Sequence, residues 1–353
     1  MINQYSEAKE GKMKRKKLLV LLGSVCLILV LAAIPFMMAC APAAPGAPKE
    51  ITLKVGTGPV GGNWFPLGAV LSTIINEKVE GVRAAPTLGG GTANMKALNE
   101  GTQDLSLTIG MTNAQAWAGD PPFEKQWRDA RSCFNTYINT IHAYALAESG
   151  IKTVEDTAGK NVTPGKMGFT GEVMWRLILE EYGLSWEDDF AEVTMVGYSE
   201  GATLMKDKHL DVYFILTFAP SAPFLELDAF STVEVFAPSP EIQDIMIEKY
   251  PGFSKTKIPG GIYKNHPDDI QTFATPCIFA CSKGLSEDVI YRIVKAWWEE
   301  DSYQRSWAVN PGFSKFILPE NALVGLALPL HPGAYKYYKE AGYTIPDAIM
   351  PID

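Results

Sequence analysis

The sequence predicts an α/β protein of two lobes joined by crossing strands, with a cleft between them. Three observations carry this expectation. From residue 51 onward, short apolar runs alternate with stretches of helical spacing in the order βαβαβα, which implies a mostly parallel sheet covered by helices. A second unit of the same kind follows a crossing strand, and a late strand and helix return to the first unit. Four glycine-bearing loops, Gly58–Trp64, Gly89–Asn94, Gly168–Glu172 and Gly197–Glu200, each stand between a strand and a helix, where such sheets place their ligands.

In order, strand Ile51–Val55 runs through a glycine turn into helix Pro66–Glu77, where Pro66 suits a first helical turn. Strand Val82–Thr87 leads to helix Thr92–Glu100, stopped by Gly101, and strand Asp104–Ile109 to a short helix near Asn113–Ala118. Trp127–Glu148 reads as helix or loop and then a crossing strand, Thr140–Leu146. The second unit has strand Asn161–Thr163, helix Glu172–Tyr182, strand Glu192–Val196, helix Glu200–Lys206 and strand Asp211–Leu216. Helix Pro220–Asp228, strand Val233–Phe236 and helix Glu241–Tyr250 complete it, and Pro259-Gly260-Gly261 is a return point. Strand Thr272–Cys281, helix Asp288–Ser302 and a tail helix at Ala334–Glu340 belong with the first unit. Residues 51–140 with 261–353 therefore make lobe I, and 141–260 lobe II.

At 353 residues the chain has room for two proper cores. Of its 31 basic and 40 acidic groups, six and two lie in residues 1–39, which leaves 25 against 38, a net −13. Such a surface argues against nucleic acid or an anionic membrane as partner. The N-terminus has a signal-peptide layout: basic Lys14-Arg15-Lys16-Lys17, an apolar run Leu18–Ile34, then Ala39-Cys40 and a Pro/Ala-rich linker. The ending resembles a bacterial lipobox, with residues 1–39 removed and Cys40 lipidated before a linker over 40–50. An uncleaved anchor helix is the alternative, and either places the body outside the cytoplasm. Cys277 and Cys281 stand about 13 Å apart along a strand, too far for a disulfide. Neither CxxC nor Cys/His spacing occurs, so no metal is expected.

Glycine turns entering helices expose backbone N–H groups beside the positive end of a helix, a ready site for a small anion. Gly56-x-Gly58-x-x-Gly61 matches the dinucleotide fingerprint, but Pro59 stiffens the turn and the helix starts late, so no cofactor is expected. Gly197-Tyr198-Ser199-Glu200-Gly201 has the nucleophile-elbow pattern between strand and helix, with His266 and His331 downstream. It lacks an oxyanion loop, and Ser199 reads better as a helix cap, so a secreted serine hydrolase is the rival reading and a non-enzyme the favoured one.

Several stretches resemble one family. Gly61-Gly62-Asn63-Trp64-Phe65-Pro66-Leu67-Gly68 is similar to the GGxYYPLG opening of TAXI-type solute-binding proteins of TRAP (tripartite ATP-independent periplasmic) transporters. Thr87-Leu88-Gly89-Gly90-Gly91-Thr92-Ala93-Asn94 resembles their TxGGSxxN, and Leu328-Pro329-Leu330-His331-Pro332-Gly333-Ala334 with Tyr337-Tyr338 and Gly342 their PLHPGAxxYYxExG tail. The resemblance implies a type II periplasmic-binding fold that closes on its guest. It implies capture of a small organic anion, an amino acid such as glutamate or another carboxylate; a monomer is expected, held at the membrane only by the lipid on Cys40. It also implies delivery to a TRAP integral-membrane subunit; a sensory module is a further rival. Carried over by position, ligand contacts fall at Gly62, Asn63, Trp64, Gly90, Gly91, Thr92, Asn94, Asn113, Phe169, Thr170, Gly171, Glu172 and Tyr198. Trp64 and Phe169 depart from the family's tyrosine and hydroxyl residue and point to a more apolar carboxylate, branched or aromatic.

Overall fold

The structure, a computed structural model, describes residues 50–352; the leader, Cys40 and most of the linker lie outside the described residues. β1 (Ile51–Gly56) passes through the glycine turn into α1 (Trp64–Lys78). β2 (Val82–Thr87), α2 (Gly91–Asn99), β3 (Leu105–Ile109) and α3 (Gly110–Ala118) repeat the step. β1 lies parallel to both β2 and β3. α1 buries Leu67, Leu71, Ile74 and Ile75, the one-sided stripe of a helix laid on a sheet.

β4 (Ala130–Leu146) corrects the expectation of a helix or loop before residue 140, for the strand is 17 residues long. Its polar Ser132, Asn135, Thr136, Asn139 and Thr140 are all buried, because both faces of the strand are covered. No alternation marks such a strand in the sequence. In the second lobe come β5 (Asn161–Thr163), α4 (Thr170–Glu181), β6 (Glu192–Val193), α5 (Tyr198–Lys206) and β7 (Val212–Thr217). α6 (Ala222–Phe230), β8 (Val233–Phe236) and α7 (Pro240–Lys249) follow. β9 (Ser254–Ile258) was not expected: Ser-Lys-Thr-Lys is mostly exposed and polar, and it pairs only along β10 (Ile270–Ser282). The expected helix 288–302 is two, α8 (Glu287–Trp297) and α9 (Glu300–Tyr303), because Glu299 between them is extended and the Trp298 indole N–H donates to Tyr338 (3.0 Å). α10 (Pro332–Glu340) closes the tail.

The strand order is β2-β1-β3-β10-β4-β7-β5-β6, with β8 beside β4 and β9 beside β10. β4 and β10 run antiparallel to each other through both lobes. The first half of β4 faces β10 and the second half faces β7 and β8. The result is two α/β lobes sharing two crossing strands. Their cores are distinct: Leu71, Phe134, Phe279 and Trp297 in one lobe, Trp175, Leu179, Phe214 and Met246 in the other. The tail motif fastens the C-terminus to β4. The His331 N–H donates to Ser132 O (3.0 Å), its Nδ1 accepts from Gly333 N–H (3.1 Å), and Nε2 meets Leu285 O (3.0 Å). Among the described residues no helix is long and apolar enough to cross a membrane.

Candidate functional site

A cavity of about 40 Å3 lies between the lobes, at the carboxyl ends of their strands. One lobe supplies Gly62, Asn63 and Trp64 at the start of α1, Gly90 and Gly91 at the start of α2, and Ile109 at the end of β3. The other supplies Phe169, Thr170 and Gly171 at the start of α4, Tyr198 at the start of α5, and Leu216 and Thr217 at the end of β7. Pro59 and Asn139 of β4 complete the lining. Asn139 lies opposite Thr275 of β10, where the crossing strands pass from one lobe to the other.

None of the lining residues carries a formal charge. The polarity of the cavity comes instead from four helix starts, those of α1, α2, α4 and α5, none of which has a side-chain cap. Elsewhere α7, α8 and α10 are capped by Ser239, Ser286 and His331, while α3, α6 and α9 are also without a side-chain cap, so it is the convergence of the four starts on one space that marks the cavity. A helix start without a side-chain acceptor presents its first N–H groups and a partial positive charge to whatever occupies the space before it. The Tyr198 phenol donates to Leu216 O (3.1 Å), and burial pushes its pKa up, so it stays neutral.

The lobes are closed on one another, and glycines make this possible. A Cβ on Gly90 would stand 2.6 Å from the Phe169 ring, one on Gly62 2.9 Å from the Tyr198 ring, and one on Gly91 would fall on Thr170 Oγ1. Gly61, at φ +89°, meets Ser199 in the same way. Thr170 Oγ1 also lies 3.4 Å from Thr92 Oγ1 and 3.3 Å from Thr112 Oγ1, and Asn63 Nδ2 3.5 Å from Phe218 O. Phe169 and Tyr198 meet edge to face at 6.4 Å.

Nine of the residues singled out in the sequence, Gly62, Asn63, Trp64, Gly90, Gly91, Phe169, Thr170, Gly171 and Tyr198, line the cavity. Four do not. Thr92 is spent on the contact with Thr170. Asn94, fully buried, braces the loops by donating to Thr57 O and Leu107 O (2.8 Å each). Glu172 turns back along α4 to Arg176 (3.0 Å). Asn113 is fully buried on α3 with both amide atoms unpartnered. Leu216 and Thr217, in the segment after Tyr213 that the sequence also offers, and Pro59, inside the Gly58–Trp64 loop, complete the lining; Asn139 and Ile109 were not singled out, because a residue within a strand gives no local signal. Ser199 does not cap its helix, since Gly197 holds that position. The two histidines a triad would need are committed to backbone groups, His266 to Val235 N–H (2.8 Å) and His331 to Gly333 N–H, and neither lines a groove that Ser199 borders. The dinucleotide-like turn is not an open cradle: Gly56 packs on Gln103 and Ser106, and Gly58 on Trp64.

Among solved structures, the chain is similar to the alkanesulfonate-binding protein SsuA from Xanthomonas axonopodis pv. citri bound to MOPS. The identity is 14% over 77% of this chain and 82% of that one, with a TM-score of 0.43. An ancestral arginine-binding protein bound to arginine is 15% identical over 74% of this chain and 98% of the other, with a TM-score of 0.45. A TctC solute-binding protein from Polaromonas is 14% identical over 73% and 87%, with a TM-score of 0.43. The sequence profile of the NMT1-like family matches residues 55–342, nearly all of the described chain, and the chain belongs to that family.

Proposed function

We propose that the protein is an extracytoplasmic solute-binding receptor that captures a small organic anion by closure of its two lobes. It releases the anion to a membrane transporter subunit, of the tripartite ATP-independent kind that the GGNWFPLG and PLHPGA stretches resemble. One observation supports this above the rest. Four uncapped helix starts, two from each lobe, converge on a cavity whose lining has no charged side chain. That arrangement attracts an anion through backbone N–H groups and helix dipoles, and it is complete only when the lobes are together. The signal-peptide layout and the lipobox-like Ala39-Cys40 support the extracytoplasmic, lipid-anchored address.

The test is a thermal-shift and calorimetric screen of the protein against small carboxylates, amino acids and sulfonates, with small-angle scattering on any hit. The expected result is saturable binding with contraction of the molecule. Binding without contraction would remove the closure step. Turnover of a generic ester, lost in Ser199→Ala, would favour the hydrolase over the receptor.

A further inference from the structure

Resting on the receptor reading above, we infer that the guest is a small monocarboxylate without an ammonium group, and that Asn139 of the crossing strand donates a hydrogen bond to its oxygens.

The first part follows from what the cavity lacks and what surrounds it. An α-amino acid brings an ammonium group, which in a water-poor site needs a carboxylate or several converging acceptors. No aspartate or glutamate is among the lining residues. Glu172, the nearest in sequence, is turned to Arg176, with its carboxylate 3.0 Å from the guanidinium. Four helix starts that stabilise an anion also raise the free energy of a cation placed among them. A second carboxylate on the guest is equally unmatched, because no lysine or arginine lines the space. Volume gives the size. About 40 Å3 is well below the ~150 Å3 of an apolar cavity that takes benzene, so the aromatic acid suggested by Trp64 and Phe169 has no room in the closed state. Acids of three carbons, such as propionate, lactate and pyruvate, are of the right order.

The second part rests on a buried polar group left without a partner. Asn139 is 3% exposed and lines the cavity; its amide nitrogen is buried with no partner beyond the weak Cys277 thiol, and a half-turn of the carboxamide, which exchanges its nitrogen and oxygen, presents that nitrogen to the guest. An unmatched buried donor costs free energy, and an oxygen of the guest at Asn139 removes that cost. Because Asn139 stands where β4 crosses between the lobes, its hydrogen bond links guest capture to the strands about which the lobes move.

The experiment is titration calorimetry on the full chain, comparing propionate, lactate and pyruvate with alanine, serine and lactamide. Lactate is expected to bind at least about 10-fold more tightly than alanine or lactamide, and Asn139→Leu to weaken the best acid by about 10-fold, the effect of one charge-assisted hydrogen bond. Asn139→Asp, which sets a carboxylate beside the guest's own, should weaken it by about 100-fold. Alanine or serine binding as tightly as lactate would overturn the assignment of class while leaving the receptor standing. Unchanged affinity in Asn139→Leu would overturn the role of Asn139. Binding of none of the six probes by the folded protein would overturn the assignment of class and size, and receptor function would then be judged by the wider screen above. Should Asn139→Leu not fold, Asn139→Gln, which keeps the carboxamide but displaces it, carries the same expectation.

Discussion

Gly91 shows how a single residue sets whether the lobes can meet. It is the first residue of α2, where alanine is a better helix former than glycine by up to about 1 kcal/mol. Gly91→Ala should therefore leave the thermal midpoint unchanged or slightly raised. The added methyl falls on Thr170 of the other lobe, so the closed state is obstructed and affinity for the guest should drop by about 10-fold or more. Calorimetry and thermal unfolding of the same sample decide it: unchanged affinity with a lowered midpoint would make Gly91 a stability residue instead. Asn94 predicts the opposite pattern. Asn94→Leu leaves Thr57 O and Leu107 O without their donor, which costs roughly 2–4 kcal/mol in urea unfolding. The sequence marks these loops clearly, since strand, glycine and helix follow one another. It does not separate a glycine that meets the opposite lobe from an asparagine that braces its own, because both depend on partners distant in the chain.

At the level of the element, β4 carries the least legible chemistry. It is buried on both faces, so its polar residues break the apolar run that would have announced a strand. Those same residues supply Asn139 to the cavity and a buried chain beyond it. Thr140 meets His142 Nδ1 (3.3 Å), His142 Nε2 meets the Tyr144 hydroxyl (2.9 Å), and Tyr144 meets the Tyr263 hydroxyl (2.5 Å). Full burial lowers the His142 pKa from 6.5 to about 3. The folded protein therefore holds this imidazole neutral while the unfolded chain takes up a proton below pH 6.5. The unfolded state binds more protons, so stability rises with pH and is lost as pH falls from about 6.5 towards 3, by roughly 1.4 kcal/mol per unit where the effect is complete. Burial lowers the His331 pKa too, with the same sign. Urea midpoints measured from pH 7 to pH 4 should show this slope, and His142→Gln should flatten it in part, with His331 supplying a remainder. An identical slope in wild type and His142→Gln would place the acid sensitivity elsewhere.

For the molecule as a whole, the two-lobed order was readable because alternation of strand and helix survives in the sequence, whereas the return of β4 and β10 through both lobes is a matter of pairing between distant segments. Trp64 stands where the halves meet: it lines the cavity and packs against the core of each lobe. The other seven of the eight tryptophans lie outside the lining, so closure on a guest changes the surroundings of Trp64 above all. Saturating guest should therefore shift the indole emission and reduce the radius of gyration together, with one midpoint concentration for both. In Trp64→Phe the emission change should vanish while scattering still reports closure, because a phenyl ring retains much of the contact with both cores. By mass action the guest at 100 times its Kd adds about 2.7 kcal/mol to the stability of the closed protein. The thermal midpoint of both variants should accordingly rise on titration. An emission change that persists without Trp64 would place the movement away from the cleft and detach the cavity from closure.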